Sequence, residues 1–402
     1  MSISKILYNG FGIKDVILKS FDILEKYCVF TCTLKKTLKK CSKCRSCSIR
    51  IKETKVRRFR MLPLGSMKCF LELTVHKFFC HDCKSSCWVK LPFAVGKLPM
   101  TKSFANYILA LIKITTVKGV ASLLGLQWDT VKKIHKDFLN TTYQKISYKK
   151  LTYLSMDEFS IKKGHTYMTV FLDIRTGRII HAVQGRSAED IRPFLERLAK
   201  NASHLKAIAM DMSVSYISAI KKYLPHVSIV FDRFHVMKML NEALDDIRKT
   251  ERAKHEKEGQ SIGKGDRFLF LKNFDTLEAD EKGRLQTLFK INKTLAQAHA
   301  LKEQLREFWN KTSKREGALF LIKWIFSAMA SQIPGIIKVA NTLLNHYEGL
   351  LNYFEHRISN GKIEGVNNKI KVLKRNAYGY RDYEYFTLLL YDLHEKTTQL
   401  VG

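Results

Sequence analysis

Nine cysteines fall between Cys28 and Cys87, and none follows in the rest of the chain. That distribution constrains the fold more than any other feature. A disulfide framework is even in number and belongs to secreted chains, whereas this N-terminus lacks the charged, apolar and small-residue succession of a secretory signal. Reduced thiols holding a metal in one small domain explain the clustering better. Cys41-Ser-Lys-Cys44 and Cys80-His-Asp-Cys83 are two C-x2-C knuckles, the way a zinc ribbon is written: four thiolates at about 2.3 Å around one structural zinc need two tight turns brought together by intervening strands. Cys47 and Cys87 could substitute as ligands. Cys28, Phe30, Cys32 and Leu34 alternate on one face of a strand, as do Cys69, Leu71, Leu73 and Val75, so the first forty residues read as β-structure and residues 1–95 as a β-rich region with its ribbon at 41–87. Between the knuckles lies a basic run. Its Arg57, Arg58 and Arg60 are expected to touch DNA, although an ordinary solvated strand or turn has the same composition.

The partner class follows from charge. Against 37 Asp+Glu stand 70 Lys+Arg, a formal net charge of +33 over 402 residues, far more than solubility needs and matched most simply by a polyanion. A membrane is excluded as that partner: no terminal amphipathic basic helix is present, and Ala318 to Ala330, the longest apolar run, is short and interrupted by Lys323. With no signal the chain is expected to stay in the cytoplasm where it is made, on the nucleic acid when bound. Length and a hydrophobic content of 46% allow two or three domains with substantial cores.

Val117 to Ile134 fits a helix-turn-helix within residues 96–148. Ala121 is small where two helices cross, Gly125 supplies the turn, and Val131 and Ile134 return the second helix to the core. Trp128, Lys132 and Lys133 would then face a major groove; any αα-hairpin shares the pattern. From Leu151 the periodicity changes to strands near Tyr153 to Asp157, Tyr167 to Ile174 and Ile179 to Val183, an antiparallel meander. A helix from Ser187, a strand Ala207 to Met210, a helix Val214 to Tyr223, a strand Val227 to Phe231 and a further helix follow. The order βββαβαβα predicts a mixed α/β domain over 149–402, interrupted by an all-helical insertion at about 250–344. Trp309 and Trp324 in that insertion read as core, with base stacking the alternative. Gly259 to Gly265 contains a Gly-Lys pair, but its spacing is one residue short of a phosphate-binding loop and no Ser or Thr follows the lysine, so an NTPase is excluded.

Asp157 is expected to end the first strand and Asp211 a later one. Each alone is the ordinary cap or turn residue of a strand end. A third acid, Glu364, is the only acid between Ser359 and Tyr380. If the part after Gly361 is helical, Ile363, Val366, Ile370, Leu373 and Ala377 form an apolar stripe, and Glu364 lies on its flank with Asn367, Asn368, Lys371, Lys374 and Arg375. Of these, Asn367, Lys371, Lys374 and Arg375 are expected to contact phosphate. Three converging carboxylates repel by about 4 kcal/mol per pair at 4 Å and an effective dielectric of 20. Divalent cations, magnesium or manganese, must compensate. Two such ions would activate an attacking water or 3′-hydroxyl and stabilise the leaving oxygen. Asp232 and His235 also follow a strand; a ligand-orienting role and a structural pair remain open for them.

The order of C-x2-C pairs, helix-turn-helix, Met-Asp-Glu-Phe, Met-Asp-Met-Ser, Phe-Asp-Arg-Phe-His-Val, Asn-His-Tyr-Glu-Gly-Leu-Leu-Asn-Tyr-Phe and Ser-Asn-Gly-Lys-Ile-Glu-Gly-Val-Asn-Asn-Lys-Ile-Lys resembles the DDE transposases of the ISL-three group of insertion sequences over nearly the whole chain. The resemblance implies a ribonuclease H-like catalytic domain with Asp157, Asp211 and Glu364 as its metal-binding triad. It also implies N-terminal zinc and helix-turn-helix modules that bind the element's terminal inverted repeats, and metal-dependent DNA strand cleavage and strand transfer into target DNA. Glu158, beside Asp157, is a competing acid, but adjacent strand side chains point to opposite faces. Synapsis of two double-stranded ends implies a homodimer or larger. Two further readings are a catalytically silent DNA-binding regulator derived from such an enzyme, and a ribonuclease H-like nuclease acting on structured substrates.

Overall fold

A computed structural model describes residues 3–35, 40–144, 146–162, 166–257, 266–377 and 380–394; the Gly-Lys pair near Gly263 lies outside them. The chain forms two compact units, Met1–Thr141 and Thr142–Glu395. Among the described residues no helix is long and apolar enough to cross a membrane.

The first unit opens with a helical turn, α1 (Ile3–Lys5), that continues as a π-turn over Ile6–Gly10, where alternation had suggested strand. Leu7, Phe11 and Ile13 are buried; the four-residue step between the first two suits a turn of helix and not a strand. Five strands follow: β1 (Val16–Ile23), β2 (Tyr27–Leu34), β3 (Ile49–Arg60), β4 (Lys68–Cys80) and β5 (Ser86–Trp88), in the order β1-β2-β4-β3 with β5 on β4. Cys28, Phe30 and Cys32 from β2 and Cys69, Leu71, Leu73 and Val75 from β4 share one buried face. Burial pushes the Cys32 thiol up to about 11, as befits a small hydrophobe. The unit continues with α2 (Lys102–Ile112), α3 (Val117–Leu124) and α4 (Trp128–Tyr143). Thr101 and Thr116 cap the first two. Gly125, at φ 62°, ends α3 in the left-handed conformation that glycine adopts without a Cβ penalty. Phe104, Ile108, Val120, Ala121, Val131 and Ile134 join the three helices in one core.

The second unit is built on β6 (Tyr153–Lys162), β7 (Thr166–Asp173), β8 (Ile179–Gln184), β9 (Ala207–Met210) and β10 (Ser228–Phe231), in the order β10-β9-β6-β7-β8. The meander is antiparallel, while β9 and β10 run parallel to β6. The crossovers are α5 (Ala188–Asn201), opened by a Ser187/Asp190 capping box, and α6 (Val214–Tyr223); α7 (Arg233–Lys257) leaves β10. Side chains alternate between two buried faces, as a sheet covered on both sides requires. Leu154, Met156, Phe171, Ile208 and Met210 meet Phe194, Leu198 and Ile220 of α5 and α6. Met168, Val170 and Leu172 meet the last two helices, α14 (Gly361–Asn376) and α15 (Tyr383–Tyr391).

Between these lie α8 (Arg267–Leu271), α9 (Ala279–Ile291), α10 (Lys293–Arg306), α11 (Lys314–Ala330), α12 (Pro334–Asn345) and α13 (Tyr347–His356), with no strand among the described residues. Trp309 and Trp324 are core: both are buried, and Trp324 Nε1 donates to the Leu301 carbonyl at 2.8 Å. Neither is available to stack on a base. The edge strand β10 is covered by α13. Asn352 Nδ2 donates to the Ile229 carbonyl at 3.0 Å, and Gly349 lets the helix approach so closely that a Cβ there would stand 2.2 Å from the Phe231 ring. Gly349→Ala is therefore expected to lower the denaturant midpoint by the equivalent of about 1–3 kcal/mol, the cost of overpacking. Gly283→Ala on α9, where a Cβ meets nothing within 4 Å, should instead stabilise by up to about 1 kcal/mol through helix propensity.

Candidate active site and metal centre

Strand register aligns the acids. In the parallel pairing Tyr153 faces Ala207 and Ser155 faces Ala209; two steps on, the same register brings Asp157 level with Asp211. Phe231 faces Met210 in the next pair, so Asp232 is level with Asp211 in turn. Ala207, Ala209 and Val230 share one apolar cluster, and period-two alternation puts the three aspartates on that same face of neighbouring strands. Asp157 does not end its strand: β6 runs on to Lys162, still paired with β7, while β9 ends at Met210. Pairing of β6 with its parallel neighbour ends at Ser155, just before Asp157.

Each acid has its own partners. Asp157 Oδ1 accepts from the Glu158 N–H at 2.8 Å, and Oδ2 accepts from Asn367 Nδ2 at 2.7 Å. Burial pushes its carboxyl above the usual range; these hydrogen bonds and His235 oppose the rise, and the Asp211 charge adds to it. Asp211 Oδ1 accepts from the Ser213 N–H at 3.1 Å, at the start of α6. Asp232 is buried, with Oδ2 3.3 Å from His235 Nδ1. The Asp232 contact raises the His235 imidazole against its burial, helped by the charges of Asp157 and Asp211. Glu158 has Oε2 accepting from the Tyr216 hydroxyl at 3.3 Å and Oε1 3.9 Å from Arg186, while burial and the charges of Asp211 and Asp157 raise its carboxyl.

Asn360 joins the sheet to α14. Its Oδ1 accepts from Ser155 Oγ at 2.6 Å, its Nδ2 donates to the Met156 carbonyl at 3.5 Å, and its N–H donates to Asp232 at 3.3 Å. Ile363, Val366 and Ile370 are then buried as the stripe required, which turns Glu364 outward in the first turn. Glu364 lines a cavity of about 530 Å³ with Asp157, Asp232, His235, Asn360 and Asn367, and with Asn273 and Arg306 from the helical region. Asp211 is not on its wall. Asn360 and Arg306 were missed from sequence. Asn360 could have been found as the residue before the helix start; Arg306 comes from a helix whose place no motif specifies.

The expected DNA contacts fall into two groups. Trp128 is 46% exposed with Lys132 Nζ 5.2 Å from its ring centre, and Lys133, Lys371 and Arg375 are exposed. On β3, Arg58 is exposed but paired with Glu72 at 2.6 Å, and Arg57 lies over the Phe59 ring. Three others are committed inside the protein. Arg60 packs over Phe70 and Phe104, and burial lowers its guanidinium; Asn367 holds Asp157, and Lys374 donates to the Ser160 carbonyl.

Cys41, Cys44, Cys80 and Cys83 bring their sulfurs within 4.8 Å of one another. Among the described residues no set of three acids is so tightly gathered, as expected of like charges. A zinc tetrahedron with bonds of about 2.3 Å has edges of about 3.8 Å. Here Cys41 and Cys83 are 3.7 Å apart and Cys44 and Cys80 3.5 Å, so the four fit a zinc site. The backbone N–H groups of Cys44 and Lys43 hold the Cys41 thiol down to about 6 and Ser85 lowers Cys83, while against the Ser46 N–H burial and the neighbouring thiols push Cys44 up to about 12, as crowded thiols do when they share charge without a metal. Cys87 lies beside this group, accepting from Ser42 Oγ at 3.2 Å, and is outside it, as is Cys47. Metal analysis should find one zinc per chain, lost in Cys41→Ser and Cys83→Ser and retained in Cys47→Ser and Cys87→Ser.

Comparison with known proteins bears directly on this arrangement. Residues 154–390, which hold all three acids, match a family described as Transposase. The transposase for insertion sequence element IS1001 of Bordetella parapertussis is 32% identical over 352 residues, 87% of either chain. That for IS1557 of Mycobacterium tuberculosis is 26% identical over 370 residues, 86% of this chain and 83% of that one. Among solved structures, the Drosophila P element transposase strand transfer complex aligns with 74% of this chain and 92% of its own at 10% identity and a TM-score of 0.39, too loosely to argue from. A matched segment that spans the acid-bearing sheet through α14, and a relative alignable along most of both chains, give one conclusion: this chain belongs to the ISL-three family of DDE transposases.

Proposed function

We propose that the second unit is a ribonuclease H-like catalytic domain in which Asp157, Asp211 and Glu364 hold two divalent ions, magnesium or manganese, and cut and rejoin DNA at the ends of the element. The observation that carries this reading is the shared register that levels Asp157 with Asp211, together with the cavity common to Asp157 and Glu364. The chemistry of the donors fits: hard carboxylate oxygens on a partly open wall suit a hydrated magnesium ion better than a soft metal. When bound, such ions supply Lewis acidity and a nucleophile at neutral pH. The chain's own side chains then have distinct tasks. Asp157 is fixed by two hydrogen bonds, so its remaining lone pairs face the cavity in one orientation. His235, beside Asp232, brings positive charge toward a phosphate, and Lys371 does so from another wall, whereas Arg306 is paired with Glu303 and shapes the cavity without a free charge.

Recognition of the terminal inverted repeats belongs, in this reading, to the first unit: the zinc knuckles with Arg57 and Arg58 of β3, and α3–α4 as a helix-turn-helix with Trp128, Lys132 and Lys133 toward the major groove. Lys371 and Arg375 serve the DNA beside the acids. Two ends must be held together, so the working form is a homodimer or larger, acting in the bacterial cytoplasm.

Purified protein given labelled end DNA with magnesium or manganese should cleave it. Asp157→Asn, Asp211→Asn and Glu364→Gln should each cut more than about a hundredfold more slowly while still binding the ends. Wild-type cleavage in all three variants would sink the assignment. In a salt titration of end binding, Lys132→Ala and Lys133→Ala should each reduce the slope of log affinity against log salt by about 0.9; an unchanged slope removes the residue from the interface.

A further inference from the structure

Asn367 stands one helical turn beyond Glu364 on the same flank of α14. Its amide is used at one end only. Nδ2 donates to Asp157 Oδ2 at 2.7 Å, whereas Oδ1 is buried and has no hydrogen-bond partner. The orientation is fixed by chemistry, because an ionised carboxylate only accepts and the NH2 must therefore face it. A buried carbonyl oxygen left unpaired costs about 1–3 kcal/mol, a cost that a donor from outside the chain would remove.

We propose that Asn367 is a positioning residue of the metal site: its NH2 fixes the rotamer of Asp157, and its unpaired Oδ1 accepts a hydrogen bond from water carried by the divalent ion. The inference rests on the reading of Asp157 and Glu364 as ligands to that ion. Three observations favour this donor. Asn367 touches one of the two acids and lies a helical turn from the other, on the wall of the cavity they share. Hydrated magnesium keeps several waters, all of them donors. A phosphate diester offers only acceptor oxygens, so a phosphate contact, the role expected from sequence, would leave Oδ1 unpaired. The Glu158 N–H already occupies one site on Asp157 Oδ1; with Asn367 on Oδ2, each oxygen of the carboxylate keeps a lone pair for the ion.

The test uses the full chain and measures manganese binding directly, from the electron paramagnetic resonance signal of free Mn2+ in a titration. Outer partners of metal ligands change affinity by about 10–100-fold, and Asn367→Leu, which keeps similar bulk without donor or acceptor, should weaken Mn2+ by that factor. Asn367→Ser, too short to reach Asp157, should do the same if Leu is not tolerated. In both, the metal concentration for half-maximal end cleavage should rise in parallel and saturating metal should recover much of the rate, while end binding without Mn2+ stays within about twofold of wild type. Mn2+ affinity within twofold of wild type in both variants overturns the proposal. So does loss of metal-free end binding with Mn2+ affinity intact, which would return Asn367 to DNA contact. Asp157→Asn is the control. If it abolishes Mn2+ binding and the Asn367 variants do not, only this inference fails; if it leaves Mn2+ binding unchanged, the assignment of the acids fails with it.

Discussion

A row of three like charges on one face of a sheet is the constraint around which the second unit is arranged. Parallel register alone brings Asp157, Asp211 and Asp232 to one level, and within the strands only the Glu158 N–H, on Asp157, offsets their repulsion. Further relief comes from three different helices. Asp211 takes an N–H at the start of α6, Asp232 takes His235 from the first turn of α7, and Asp157 takes Asn367 from α14. The result is asymmetric in a useful way. Asp232 is buried, with one oxygen beside an imidazole and the other accepting the Asn360 N–H, whereas Asp157 and Asp211 are only partly buried.

Glu364 reaches the site by a longer route, and that route gives the helical region a purpose. α13 must lie tightly on β10, which Gly349 permits, before Asn360 can meet Ser155 and Asp232 and start α14 at the right height. The helices that precede α13 supply the body it packs on, through Trp324, Phe308 and Phe354. They also reach the cavity that the acids line. The Arg233 guanidinium, next to Asp232, lies 5.2 Å from the Trp309 ring centre, and Arg306 and Asn273 close the cavity wall. A tryptophan that reads as a candidate for DNA stacking thus acts from the core on the residue beside an acid.

Periodicity made the sheet legible. Strand β9 and helix α6 match their expected bounds, and the stripe Ile363, Val366, Ile370 gave the face of α14 because burial enforces a 3.6-residue repeat. Strand ends were less readable. Asp157 looked terminal because an acid after an apolar run usually marks a turn, but β6 continues beyond it on the strength of pairing with β7, a tertiary fact that local pattern does not carry. The acids themselves were visible as residues; their partners were not. Asn360 has no periodic signature, and periodicity placed Asn367 on the flank of α14 without its partner, since the work of an amide depends on what stands within 3 Å of it. The knuckle cysteines were more legible: close spacing marks each pair, and the β3–β4 pairing then brings Cys41 to Cys83 and Cys44 to Cys80.

Charge was legible only as a total. An excess of cations names the class of partner through the long-range field, but a cation reaches a phosphate only if it is not already in use. Lys302 is fully buried and donates to the carbonyls of Phe270, Leu271 and Lys272, closing the end of α8. Lys362 donates to the Ile174 carbonyl, Lys374 to that of Ser160, and Arg60 is stacked between rings. These side chains spend their donors on backbone oxygens or aromatic faces, which is the economy expected where long stems can be buried and heads paired. Exposed helix faces still carry cations such as Lys133 and Arg375. Burial, more than the number of positive charges, therefore decides which surface of a chain this basic meets the nucleic acid.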